Sequence, residues 1–121
     1  MLPHDQLTAM LTAADLFVCP SIYEPLGIVN LEAMGCETAV LGSRVGGIPE
    51  VVADKETGEL VDYHGEAAPF EKSLTESITR LMSQPELLKK YGAAGRVRAQ
   101  KLFGWDAVAA LTVDLYRKVI G

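Results

Sequence analysis

Two carboxylates, Glu24 and Glu32, stand on either side of the seven residues Pro25-Leu26-Gly27-Ile28-Val29-Asn30-Leu31. From Gly27 onward the sequence suits a helix, so the amides of Gly27, Ile28 and Val29 open that helix without intrahelical partners and form a ready anion site. Glu32 follows Ile28 by four and Val29 by three, which puts it on their face. An anion held at the helix start would then lie within reach of a carboxylate that accepts bonds from hydroxyls. Phosphate beside ribose or sugar hydroxyls fits such an arrangement. The plain alternative is a solvated helix residue at Glu32 and an ordinary loop charge at Glu24. The prolines and glycines that bracket the stretch weigh against it.

Holding these residues takes a strand, a loop and a helix. Ala14-Asp15-Leu16-Phe17-Val18-Cys19 is a short apolar run that reads as a buried strand. Pro20 and Pro25 bracket the loop, because proline cannot donate to a ladder and turns the preceding residue away from helix. Ile28, Leu31, Glu32, Ala33 and Met34 suit a short helix that Gly35 stops. Upstream, Leu7, Met10, Leu11 and Ala14 recur at helical spacing, with Asp5 as the expected N-cap. Downstream, Thr38 to Gly42 is a second strand, followed by the glycine-bearing turn Gly42-Ser43-Arg44-Val45-Gly46-Gly47. Pro49 then opens one or two helical turns, Thr57-Gly58 turns the chain, and Glu59 to Asp62 reads as a third strand. Strands alternating with helices predict an α/β fold with a short parallel sheet.

Three helices follow. Pro69 to Met82 places Phe70, Leu74, Ile78, Leu81 and Met82 on one face. A helix from Pro85 buries Leu87, Leu88 and Tyr91, and its Lys89, Lys90, Arg96, Arg98 and Lys101 form a solvated face. The last opens at Trp105-Asp106, with Asp106 as the expected cap and Val108, Leu111, Leu115, Tyr116 and Val119 as its apolar face.

The central stretch also resembles a known family. Glu24 and Glu32 within Glu-Pro-Leu-Gly-Ile-Val-Asn-Leu-Glu-Ala-Met look like the double-glutamate signature of retaining glycosyltransferases of family 4, two-domain GT-B enzymes that use nucleotide-sugar donors. Thr38 to Val52 and Thr57-Gly58-Glu59-Leu60-Val61 match the same family, and the wording from Ser21 to Met34 is most similar to bacterial glycogen synthases. The resemblance implies that residues 1–121 are the second half of a Rossmann-like, nucleotide-sugar-binding C-terminal domain, with helices at its end. It implies that Glu24 is catalytic, contacting the transferred sugar and supporting positive character at its anomeric carbon. Gly27, Ile28, Val29 and Asn30 would hold sugar hydroxyls and phosphate, and Glu32 the ribose hydroxyls. His4 resembles a loop histidine of the family and reads as structural or exposed.

The expected substrates are a nucleotide-glucose donor such as ADP-glucose and an α-glucan or sugar-phosphate acceptor, the latter held by an N-terminal domain that this sequence does not match. No cofactor or metal is implied. A retaining glycosidase also uses paired carboxylates, but helix amides between them call for a phosphate, which glycosidase substrates lack. The alternative function is a catalytically inactive domain that folds and self-associates.

Composition narrows the field further. The 121 residues carry a net charge of −5 and are 49% apolar, which predicts one globular domain rather than disorder. No basic stripe offers itself to nucleic acid. No apolar run is long enough to span a bilayer and no signal peptide opens the chain, so the expected location is the cytoplasm. Cys19 and Cys36 lack metal-like spacing and read as buried free thiols. Up to Leu60 the only cations are Arg44 and Lys55, against nine acids. In the family an Arg and a Lys from an earlier part of the domain neutralise the donor's phosphates, and these have no counterpart here. The strand Asp15 to Cys19 would also lack the neighbour it has in a full Rossmann-like sheet. Its open edge and an uncovered last helix predict a homodimer or larger species.

Overall fold

The structure, a computed structural model, describes residues 2–121. The elements run α1 (His4–Ala13), β1 (Leu16–Cys19), α2 (Ile28–Gly35), β2 (Ala39–Ser43), α3 (Ile48–Val51), β3 (Gly58–Val61), α4 (Ala67–Met82), α5 (Pro85–Phe103) and α6 (Trp105–Ile120). The three strands form one parallel sheet in the order β1-β2-β3, with Leu16 opposite Ala39 and Val40 opposite Gly58. The expected α/β fold with a short parallel sheet flanked by helices is therefore what the chain adopts.

Alternation along β2 divides the core. Val40 points to one face and joins Leu11, Cys19, Ala33, Met34, Ile48 and Val51 from α1, β1, α2 and α3, together with Val52 just past α3. Ala39 and Leu41 point to the other and join Val61, Phe70, Leu81, Leu88 and Tyr91 from β3, α4 and α5. All five residues of β2 are buried, as befits the middle strand of a parallel sheet covered on both faces.

A buried ionic hub fastens β3 to the helices outside it. The Glu59 side chain accepts from both arms of Arg80 on α4, from the Tyr91 hydroxyl on α5 at 3.2 Å and from Lys55 at 2.7 Å. Burial pushes the Glu59 carboxyl up. The hydrogen bonds from Arg80 and Lys55 outweigh it and hold the group below its ordinary value. Tyr91 is pushed up, first by burial and then by the Glu59 charge.

Several local expectations are corrected. Asp5 does not cap α1: Pro3 is the N-cap residue, and its carbonyl accepts from the Leu7 amide. Asp106 does not cap α6, whose N-cap is Gly104 without a side-chain bond. Met82 is about half exposed rather than packed. Arg98 leaves the basic face of α5 and donates to the carbonyls of Val51 and Glu50, at 2.8 and 2.9 Å, closing the end of α3. Both cysteines are free thiols, with Cys19 buried and Cys36 half-buried. No described helix is long and apolar enough to cross a membrane.

Candidate functional site

Because β1 and β2 are parallel neighbours, the loops leaving their C-terminal ends lie side by side, the usual place for ligands in α/β sheets. The β1–α2 loop carries Glu24 and the β2–α3 loop carries Gly46 and Gly47. Ser43, the last residue of β2, ties the two together by donating its hydroxyl to the Ser21 carbonyl. The Gly47 amide donates to the Glu24 carbonyl at 3.0 Å. Gly46 has φ +52°, and a Cβ there would stand 1.8 Å from that same carbonyl oxygen, so only glycine lets the loops touch.

Glu24 is half-buried between these loops, and its Oε1 accepts from the Gly27 amide at 3.1 Å. Gly27 is the N-cap of α2 with φ +84°. Of the three amides expected to open the helix, that of Gly27 is therefore already taken by Glu24. The Asn30 amide reaches back to the Gly27 carbonyl at 2.9 Å. Those of Ile28 and Val29 have no partner among the described residues and remain available to an anion.

Ile28, Val29 and Glu32 are exposed on the outer side of α2, in agreement with their spacing. Glu32 lines a shallow groove between α1 and α2 with His4, Leu7, Thr8 and Cys36. The two carboxylates thus have different surroundings: Glu24 sits among glycine backbone, Glu32 at the open surface. Asn30 lies under the surface and is fully buried together with Ala33 and Met34. It precedes those two by three and four residues, so its inward direction was available from spacing.

Neither cation of the first sixty residues is free. Arg44 holds Asp54 at 2.6 Å and Asp62 at 2.8 Å, and those hydrogen bonds, Asp54 first, raise its affinity for its proton. Lys55 holds Glu59. Among the described residues, no group of three or more His, Cys, Asp or Glu side chains could hold a metal ion.

The sequence matches the family of glycosyl transferases group 1 over residues 1–98. It is 52% identical over 120 residues, 98% of its length, to an alpha-maltose-1-phosphate synthase of Mycolicibacterium smegmatis, of which it covers 31%. It is 37% identical over 117 residues, 97% of its length, to a D-inositol 3-phosphate glycosyltransferase of Streptomyces bingchenggensis, of which it covers 24%. In three dimensions it resembles the sucrose-phosphate synthase of Thermosynechococcus elongatus with a TM-score of 0.85 and 38% identity, over 99% of this chain and 29% of that one. The chain thus spans about a third or less of the relatives it matches.

Proposed function

The chain belongs to the group 1 glycosyl transferases, and from that premise we propose that it is the donor-binding part of a retaining glucosyltransferase. In this reading residues 1–121 are part of a GT-B C-terminal domain, and the longer protein takes a nucleotide-glucose such as ADP-glucose and transfers glucose to a sugar phosphate. Glu24 contacts the transferred sugar and stabilises charge developing at its anomeric carbon. The amides of Ile28 and Val29 take the phosphate, and Glu32 takes the ribose hydroxyls.

The observation that carries the reading is the pair of unpartnered amides at the start of α2, flanked by Glu24 and by the exposed Glu32. The phosphorylated sugars and cyclitol in the names of its relatives favour a phosphorylated acceptor. The glycogen-synthase-like wording from Ser21 to Met34 keeps an α-glucan acceptor as the second reading.

Positioning and electrostatics supply the catalytic logic, and no metal is invoked. With Arg44 and Lys55 both engaged by carboxylates, the 121-residue chain by itself holds a pyrophosphate poorly. Loss of two charge-assisted contacts at roughly 1.5–3 kcal/mol each costs about two to four decades in affinity. Titrating the labelled chain with ADP-glucose tests this by NMR. Weak binding that shifts the amides of Ile28, Val29 and Glu32 is expected. Glu32→Ala should weaken ADP and ADP-glucose alike, and Glu24→Ala should weaken ADP-glucose alone. Shifts confined to other residues would refute the site, and micromolar binding would refute the role given to the missing cations.

A further inference from the structure

Asn30 is fully buried, and its Nδ2 and Oδ1 are the buried side-chain polar atoms without a hydrogen-bond partner among the described residues. An amide stripped of water and left unpaired is unfavourable, and folded proteins seldom keep one without a use. Its surroundings suggest that use. A Cβ built on Gly27 would lie 2.6 Å from Asn30 Nδ2, 3.4 Å from Ile48 Cγ1 and 3.5 Å from Glu24 Cγ, so the amide borders a space whose other walls are an apolar Ile48 methylene, which offers it no bond, and the Glu24 side chain.

Glu24 itself is held at two of its acceptors. Its carbonyl takes the Gly47 amide and its Oε1 takes the Gly27 amide. Its second carboxylate oxygen has no hydrogen-bond partner among the described residues, while the Asn30 side chain has two N–H groups to offer. An ionised carboxylate is the strongest acceptor within this loop.

We propose that Asn30 is a positioning residue: its buried side-chain amide, unpartnered in the structure and lying beside Gly27 and Glu24, turns to donate to the free oxygen of the Glu24 carboxylate and sets the direction in which that carboxylate faces the site. Asn30 then acts on the donor through Glu24 and does not touch the donor itself. The functional consequence rests on Glu24 being the sugar contact; the proposed bond between the two side chains does not.

Asn30 is the only asparagine in the sequence, so selective ¹⁵N-asparagine labelling of the 121-residue chain yields a single side-chain NH₂ signal. Hydrogen exchange of that NH₂ is compared in the wild type, Glu24→Gln and Glu24→Ala. The expected result is slow exchange in the wild type, largely retained in Glu24→Gln, whose carbonyl still accepts. Glu24→Ala should accelerate exchange about tenfold or more.

The Gly47 amide is the control, because its acceptor is the backbone of residue 24 and should survive both substitutions. Exchange of the Asn30 NH₂ at the wild-type rate in Glu24→Ala would overturn the proposal and assign the partner to a buried water. If Glu24→Ala frees the Gly47 amide as well, Asn30→Ala decides. The Gly27 amide exchanges faster in that variant if Asn30 holds the carboxylate in place, and at its wild-type rate if it does not. Failure of the chain to bind any nucleotide sugar would sink the donor-site reading and leave this test standing.

Discussion

Near the start of β3, Glu59 is a carboxylate that faces inward and is 3% exposed, yet it is charged, because Arg80, Lys55 and Tyr91 converge on it. Its partners Arg80 and Lys55 keep much of their contact with water, so removing the Glu59 charge strands no buried cation. Glu59→Gln is therefore expected to cost roughly 1–3 kcal/mol at neutral pH, the scale of charge-assisted hydrogen bonds lost. The carboxyl sits below its ordinary value of 4.5 in the folded chain, so its contribution is complete above that value. That contribution fades as pH falls through the lower, folded value. Urea unfolding of wild type and Glu59→Gln from neutral pH downward should show two curves that converge in acid. A gap that persists or widens in acid would contradict the hub.

Among the connecting elements, the β2–α3 loop makes the sharpest demand on residue type. At Gly46 a positive φ coincides with a backbone oxygen where a Cβ would go, and backbone cannot step aside. Gly46→Ala is expected to destabilise the chain by about 1–3 kcal/mol and to break the contact with the Glu24 carbonyl. Gly35, at the end of α2, has open space around it and no positive φ, so Gly35→Ala should be neutral or stabilise by up to about 1 kcal/mol. Chemical denaturation of the two variants checks the contrast; equal effects would mean that the two loops are not in contact.

The elements themselves were legible, because alternating apolar runs and helical stripes are local. The helices from Pro85 and Trp105 start where expected, whereas the starts of the first four helices and the bounds of the strands shifted by one or two residues, which spacing does not determine. What escaped the sequence is long-range pairing. Arg98 reaches carbonyls almost fifty residues upstream, and Glu59 on β3 draws Arg80 from α4. No periodicity encodes such partners. At the site, the carboxylates and the amides were readable, whereas the bond from the Gly27 amide to Glu24 depends on how the β1–α2 loop closes.

For the molecule as a whole, two surfaces lack partners. β1 is paired on one side only, and its residues Leu16, Phe17 and Val18 are half-buried and uncharged. No residue of α6 is buried; Leu111, Leu115, Tyr116 and Val119 are more than half exposed. Self-association through one or both surfaces is expected at micromolar concentration, read by sedimentation velocity. Removal of residues 105–121 should leave the sheet and its core intact, since α6 adds nothing to either core cluster, and should reduce association wherever α6 takes part. A monomer without concentration dependence would refute the expectation.

The uncovered edge of β1 also bears on how the chain comes apart. Leu-Phe-Val-Cys is β-prone and carries neither charge nor proline. Heat that loosens the sheet would present this segment to other loosened chains before it could find β2 again. Thermal unfolding would then be trapped by aggregation, and the apparent melting temperature would depend on scan rate and protein concentration, reporting a rate in place of an equilibrium.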